Sequence, residues 1–196
     1  MNNLLNAENS GTPLIIIEKP SYQAWLEQQT QAHQNWLNNT QYKGQGLVLI
    51  PNNEGALSQV LFVVDDATDY FACGDLIKQL PQGQYLLKAE AEHVEAISFG
   101  WLVGAYQFDR YISNKPAHSL ASLAVNNGEI VDGAIKSAQA IALTRDLINT
   151  PAADMMPVDI AQAAEALAKQ FNGEVKQIIG DELLEHNYPT IYAVGR

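Results

Sequence analysis

The chain has 196 residues, of which 47% are hydrophobic, enough to bury the core of one domain and to begin a second. Its 22 acidic residues against 11 basic ones leave a formal net charge of -11, and this field repels phosphate backbones and anionic lipids. We therefore expect neither a nucleic-acid partner nor a membrane partner. The single cysteine, Cys73, excludes an intrachain disulfide, and four histidines with one thiol exclude a zinc finger or ribbon.

The N-terminal ten residues are rich in Asn and lack both the basic start and the long apolar run of a signal peptide. Nowhere in the sequence do 18 apolar residues follow one another, which argues against a transmembrane helix. A reducing compartment fits the single thiol. The sequence therefore predicts a cytoplasmic location.

Short apolar runs bounded by turn residues predict β-strands. They lie at residues 14–17, 47–50, 60–64, 85–87 and 120–125. Runs that are apolar throughout, without alternation, are typical of strands that are buried on both faces of an α/β sheet. The last run ends at an Asn-Asn-Gly turn signal at residues 126–128.

Segments with helical spacing lie between these runs. In the Gln-rich stretch after Pro20, the side chains of Trp25, Ala32 and Trp36 fall on one predicted helical face. The longest helix is predicted over residues 91–111, where apolar residues repeat at steps of three and four: Val94, Ile97, Trp101, Ala105 and Phe108. Alternating strands and helices predict the fold class α/β, with a mixed, mostly parallel sheet flanked by helices.

A domain boundary is predicted near Gly128. Residues 1–128 would form the N-terminal α/β domain, residues 129–150 a connecting helix, and residues 151–196 the start of a second α/β domain. The connecting helix would present one apolar face, formed by Val131, Ile135, Ala138, Ile141, Ala142 and Ile148.

Further helices and strands are predicted in residues 151–196. Pro157 suits the first position of a helix, whose buried stripe would be Ile160, Ala164, Leu167 and Phe171. Residues 174–179 alternate as a strand, a short helix runs through His186, and residues 191–196 form a second strand-like run. Because a terminal apolar strand needs hydrogen-bond partners, we expect the sequence to stop within the second domain.

One cluster of acidic and imidazole side chains has two interpretations. Glu90, Glu92, His93 and Glu95 are close enough in sequence to suggest metal ligands. They also fall in the first turn of the predicted long helix, where acidic side chains stabilise exposed N–H groups. We favour a solvated helix start, because metal ligands need convergent geometry and not only proximity in sequence.

Other candidates are also better explained as structural residues. Asp65, Asp66 and Asp69 could form a loose cation site, yet they follow a strand directly and suit a turn. Cys73 could be a nucleophile, but no histidine lies near it in sequence, which favours a core or surface thiol. Three histidines are isolated and support no catalytic role: His33, His118 and His186. Neither a nucleophile elbow nor a phosphate-binding glycine loop occurs.

Residues 144–157 read Thr-Arg-Asp-Leu-Ile-Asn-Thr-Pro-Ala-Ala-Asp-Met-Met-Pro. This passage resembles the Arg-Asp-Leu-x-Asn-Thr-Pro segment, followed by a later Pro, that opens the peptidase domain of leucyl (cytosol) aminopeptidases. The order of the parts beyond it is similar, up to Ala-Val-Gly at residues 193–195. Residues 106–111 resemble the end of the long helix in that family's N-terminal domain. The resemblance covers residues 101–196 well, and the first hundred residues only in architecture.

The resemblance implies a macro-domain-like N-terminal domain in an enzyme that removes N-terminal amino acids from peptides. In that family, two bridged divalent cations, Zn or Mn, activate a water molecule, and the full-length enzyme is a homo-hexamer. The family's Asn-Thr-Asp-Ala-Glu-Gly-Arg stretch has no counterpart here. The resemblance therefore assigns no catalytic, metal-binding or cofactor-binding residue to this chain, which we expect to be inactive alone.

Two alternatives to an enzyme portion stay open. One is a free-standing macro-domain-like module that binds a nucleotide or another small ligand, although it lacks a glycine-rich loop. The other is the DNA-binding accessory role known in this family, which the acidic charge opposes. The turn at Asn149, Thr150 and Pro151 is a candidate functional site. However, the preference of Asn for turns and the conformational restriction that proline places on the preceding residue explain the segment as structural.

Overall fold

The computed structural model describes residues 3–113 and 120–195. Two compact units make up the chain, Met1–Thr144 and Arg145–Arg196. The first unit contains every strand assigned within the described residues. Within the same described ranges, every helix is too short or too polar to cross a membrane.

A six-stranded sheet forms the centre of the first unit. Its strands are β1 (Leu5–Asn6), β2 (Thr12–Glu18), β3 (Gly46–Pro51), β4 (Leu57–Val64), β5 (Gln84–Lys88) and β6 (Ser122–Ala124). The spatial order is β1-β6-β5-β2-β4-β3. Only the β3–β4 pair is antiparallel, and the other four pairs are parallel. The predicted mixed, mostly parallel sheet is confirmed, and each predicted apolar run of this unit contains a strand.

Helices cover this sheet on both faces. They are α1 (Tyr22–Glu27), α2 (Gln31–Asn39), α3 (Leu76–Gln79), α4 (Val94–Gly104) and α5 (Gly128–Asn149), and α5 continues into the second unit. Two 3-10 turns precede α1 and α4, at Lys19–Ser21 and Ala91–His93.

The central strand β2 supplies side chains to two separate cores. Leu14 and Ile16 are fully buried in the larger core, together with Trp101 of α4. Ile15 and Ile17 point to the opposite face and pack on a smaller core around Leu37. Successive side chains of a strand alternate between the two faces. The run is apolar throughout because both faces of the sheet are covered.

Two helical segments of the first unit begin or end at residues other than those predicted. The Gln-rich segment forms two short helices, α1 and α2, because Thr30 caps a new start by accepting the N–H of His33. Ala32 and Trp36 lie four residues apart on one face of α2, as predicted, but both are exposed, and Trp25 belongs to α1. The Trp36 Nε1 instead donates to the Leu49 carbonyl on the edge strand β3 at 3.0 Å.

The long helix was predicted to reach Tyr111, but α4 ends at Gly104. Its last turn tightens, since the Tyr106 N–H donates to the Val103 carbonyl three residues back. Ala105 is still buried, and Phe108 continues the apolar spacing outside the helix. Apolar spacing alone therefore overestimated the helix length.

The second unit is helical. It contains the end of α5, a 3-10 turn at Ala152–Asp154, α6 (Pro157–Gln170), α7 (Glu182–Glu185) and α8 (Pro189–Gly195). The predicted start of α6 at Pro157 is confirmed, and its N-terminus is capped by Asp159, which accepts the Met156 N–H at 2.8 Å. The predicted short helix before His186 is also confirmed.

Two strands predicted in this unit are wrong. Residues 174–179 are irregular, and residues 191–195 belong to helix α8. A strand needs a hydrogen-bonded neighbour, and the described residues of this unit offer none. The predicted buried stripe of α6 is exposed as well, with Ile160 at 53% and Phe171 at 70% exposure.

The division between the units falls within α5, whereas the sequence predicted a boundary near Gly128. The first part of α5 packs on the larger core through Val131, Ala134 and Ala138. Ile148, predicted to lie on the same apolar helical face, is 75% exposed. The extent of the domains as predicted, residues 1–128, 129–150 and 151–196, stays a prediction.

Helix α4 packs closely against the backbone before α3. A Cβ on Gly104 would overlap the carbonyl oxygen of Gly74, and a Cβ on Gly100 would overlap that of Tyr70. These contacts are with backbone atoms, which cannot move aside as a flexible side chain can. Only glycine allows this approach at the two positions.

We predict that Gly104→Ala lowers the free energy of unfolding by about 1–3 kcal/mol, the usual cost of overpacking. Gly133→Ala in α5 is the matched control, because no described atom beyond its chain neighbours and its own helix backbone lies within 4 Å of the position that its Cβ would take. The control is expected to be neutral or to raise stability by up to about 1 kcal/mol through helix propensity. Urea denaturation of both variants measures the difference, and equal stabilities would contradict the close approach.

Candidate functional site

The carboxyl ends of three parallel strands meet at one edge of the sheet. Strand β2 ends at Glu18, β4 ends at Val64 and β5 ends at Lys88, and β2 lies between the other two. In open α/β sheets, ligands bind in the crevice outside these carboxyl ends. A cavity of about 210 Å³ lies there. Its lining residues are Ile16, Ile17, Glu18, Ser21, Thr68, Glu90, Glu92 and His93.

His93 is the most buried polar residue of this polar cavity, with 6% exposure. It ends the 3-10 turn that precedes α4. The His93 Nε2 lies 3.6 Å from Glu92 Oε1 and 3.8 Å from Glu18 Oε1. These distances exceed those of a hydrogen bond. Within the described part of the chain, the His93 ring has two carboxylates in ion-pair range but makes no hydrogen bond.

Backbone contacts hold the neighbouring carboxylates in place. The Ala67 N–H donates to Glu18 Oε1 at 3.0 Å, which ties the end of β2 to the loop after β4. In that loop, the hydroxyl and the N–H of Thr68 donate to Asp66 Oδ1 at 2.6 and 2.8 Å. These hydrogen bonds, the one from the hydroxyl above all, hold the pKa of Asp66 below its ordinary value. The edge of the sheet therefore carries two ordered carboxylates, Glu18 and Asp66.

The sequence cluster separates in the structure. Glu90, Glu92 and His93 each present one potential ligand atom, and these atoms all lie within 4.8 Å of one another. Glu95 instead lines a different groove of about 470 Å³, beside Tyr70, Phe99 and Ala134. A solvated helix start explains Glu95. It does not explain why the side chains of Glu90, Glu92 and His93 converge.

Sequence reasoning missed Glu18 and Thr68. They are separated from His93 by 75 and 25 positions in the sequence, so no local spacing connects them. The sequence does contain a signal that could have found them. Glu18 and Thr68 both come shortly after a predicted strand, and the carboxyl ends of adjacent parallel strands lie close together.

The aspartates after β4 form turns, as predicted. Asp66 accepts the two hydrogen bonds from Thr68, and Asp69 Oδ1 accepts the Phe71 N–H at 2.9 Å. His33 Nδ1 lies 3.3 Å from Gln59 Nε2, and His33 does not line the polar cavity. His186 follows α7 in the second unit. The prediction for His118 falls outside the described residues.

Thr150 ends helix α5. Its N–H and its hydroxyl both donate to the Asp146 carbonyl, at 3.1 and 2.7 Å, and Thr150 is 6% exposed. This is the geometry of a helix C-terminus, where side chains satisfy the last carbonyls. The position of Thr150 at the helix C-terminus therefore explains the hydrogen bond of its hydroxyl, and the Asn149-Thr150-Pro151 segment is a structural turn.

The sheet order and the helices on both faces define an open α/β domain. Residues 12–126, more than half of the chain, match the family description "M17 aminopeptidase, N-terminal domain". The chain therefore belongs to the M17 aminopeptidase family, through that N-terminal domain. The predicted resemblance to leucyl (cytosol) aminopeptidases is confirmed.

Curated relatives carry the name "Probable cytosol aminopeptidase". That of Sulfurihydrogenibium sp. (strain YO3AOP1) is 36% identical over 115 residues, covering 54% of this chain and 23% of that protein. That of Wolinella succinogenes is 30% identical over 155 residues, covering 63% of this chain and 32% of that protein. The chain thus spans less than a third of the length of these two relatives.

Solved structures show the same fold. The cytosol aminopeptidase from Coxiella burnetii superposes with a TM-score of 0.85 at 33% identity, covering 97% of this chain and 42% of that chain. The bottromycin maturation enzyme BotP in complex with Mn gives a TM-score of 0.65 at 19% identity, covering 89% of this chain and 39% of that chain. At 19% identity, the similarity to BotP shows a shared fold alone.

Cys73 is buried, with 1% exposure, and burial raises the pKa of its thiol to about 12. The thiolate is the reactive form, so this thiol is unreactive near neutral pH. We predict that Ellman's reagent labels the native chain at pH 8 far more slowly than the chain unfolded in guanidinium chloride. Equal labelling rates in the two states would contradict the burial of Cys73.

Proposed function

We propose that this chain is the N-terminal, non-catalytic portion of a metal-dependent aminopeptidase that removes N-terminal amino acids from peptides. The observation that carries the proposal is the match of residues 12–126 to the N-terminal domain of the M17 aminopeptidases. The likeness to the Coxiella burnetii enzyme over 97% of this chain supports the same assignment.

The residues present do not suit the two bridged cations that the family implies. Within the described residues, one group of three candidate ligands occurs, Glu90, Glu92 and His93. Three ligand atoms suffice for one cation, whereas a bridged pair needs more carboxylates around two centres. In the proposal, the catalytic ligands belong to polypeptide that this sequence does not include, and no step of hydrolysis is assigned to these residues.

The role proposed for the chain is to form a stable scaffold beside the catalytic part. The larger core of the first unit supports this role, since β2 and α4 bury large side chains completely in it. We extend the proposal to peptide substrates, a homo-hexameric full-length enzyme and a cytoplasmic location. The word "cytosol" in the names of the relatives supports the last point.

The alternative of a free-standing nucleotide-binding module gains no support from the comparisons. Among the described residues, the polar cavity is lined by Glu18, Glu90 and Glu92 and by no glycine. Carboxylates repel the phosphates of a nucleotide, which helix N-termini and glycine loops normally bind.

We expect the 196-residue chain to hydrolyse no leucine chromogenic amide, with or without added Mn²⁺ or Zn²⁺. A longer product that continues through the family's metal-ligand motifs is expected to be active under the same conditions. Both proteins are assayed side by side at equal concentration, with the chelator-treated longer product as the control. Metal-dependent turnover by the 196-residue chain would refute the proposal.

A further inference from the structure

The sheet ends on one side at an apolar edge strand, β3. Its sequence is Gly-Leu-Val-Leu-Ile-Pro, with no charged side chain. Strand β4 pairs with one side of β3, and no strand of the described residues pairs with the other side. An apolar edge strand presents backbone groups to which a strand of another molecule can add. This edge therefore needs protection if the chain is not to pair through it.

The two edges of the sheet are protected in different ways. Strand β1, at the opposite edge, is only two residues long and offers little to pair with. Strand β3 is longer and has no charge to repel a partner. Its last residue, Pro51, has no N–H to donate, and the register with β4 shifts between Ile50 and Pro51. These features protect the end of β3 and leave residues 46–50.

Side chains from outside the sheet bond to two carbonyls of β3. The Trp36 Nε1 of α2 donates to the Leu49 carbonyl at 3.0 Å. The Tyr42 hydroxyl, between α2 and β3, donates to the Gly46 carbonyl at 2.6 Å. A strand that adds to an edge must bond to backbone carbonyls of that edge. Side-chain donors on these carbonyls therefore compete with strand addition.

Packing does not explain the position of Trp36. Its side chain is 40% exposed and belongs to neither core, whereas the next residue of α2, Leu37, is fully buried in the smaller core. The indole N–H is the only hydrogen-bonding group of a tryptophan side chain. Trp36 uses this group on Leu49, which is itself exposed on the edge strand. The contact with β3 is therefore the interaction that accounts for this side chain.

We propose that Trp36 covers the outer edge of β3 and prevents two copies of this chain from pairing β3 with β3. A strand that pairs antiparallel with its own copy forms a two-fold symmetric dimer, the commonest form of homo-oligomer. Trp36 protects the middle of the strand, while Tyr42 and Pro51 protect its two ends. This role concerns the sheet alone and does not depend on the proposed aminopeptidase function.

The test compares the 196-residue chain with Trp36→Ala, which removes the ring, and Trp36→Phe, which keeps an apolar ring without the N–H donor. Hydrogen exchange with mass spectrometry follows the amides of residues 46–50 at low and at high micromolar protein. In the unchanged chain, we expect the same exchange rate at both concentrations. In Trp36→Ala, pairing between copies increases by mass action, and we expect exchange at least about threefold slower at the high concentration. Trp36→Phe is expected to change in the same direction by a smaller factor.

Phe171→Ala is the matched control, because it removes an exposed aromatic side chain from the second unit, in which the described residues form no strand. Exchange of residues 46–50 in this variant is expected to be independent of concentration. If Trp36→Ala does not fold, Trp36→Phe decides the test, since it keeps most of the side chain.

Concentration-independent exchange of residues 46–50 in the Trp36 variants would overturn the proposal. So would an equal slowing in the unchanged chain or in Phe171→Ala. Because the readout needs no peptidase activity, its failure leaves the proposed aminopeptidase role unaffected.

Discussion

The parallel pairing of β2 with both β4 and β5 is the constraint on which the rest of the first unit depends. It places β2 at the centre of the sheet, with residues Leu14 and Ile16 completely buried on one face. It also brings the carboxyl ends of three strands to one edge. Glu18, the loop after β4 and the turn before α4 meet there because the strands run in the same direction.

The close approach of α4 depends on the same sheet. Trp101, at the centre of α4, is fully buried, and its Nε1 donates to the Leu4 carbonyl beside β1 at 2.9 Å. Gly100 and Gly104 let the same helix contact the backbone at Tyr70 and Gly74. These contacts together fix the helix, and with it the position of His93 one residue before its start.

Much of this first unit could be predicted from the sequence, because burial leaves a mark in the chain. Strands covered on both faces are apolar throughout, and residues 14–17 and 60–64 were recognisable for that reason. The end of α4 was not recognisable, since Phe108 continues the helical spacing after the helix has stopped. The second unit was harder to predict, because a strand depends on a neighbour that the local sequence does not specify.

The polar cavity could be predicted only in part. Glu90, Glu92 and His93 lie within four positions of one another, so their proximity is visible in the sequence, and spacing alone does not distinguish Glu95 from them. The structure separates Glu95 from the group and adds Glu18, which is distant in sequence. Convergence of this kind arises from strand order, and strand order is a property of the whole sheet.

Hydrogen exchange of the native chain tests the central position of β2 most directly. Amides deep in a cooperative core exchange only through global unfolding, whereas those of edges exchange through local opening. The account predicts that the amides of residues 14–17 are among the slowest to exchange, because all four residues pair with β4 and residues 14 and 15 also pair with β5. Exchange of these amides as fast as those of the short helix α1 would contradict it.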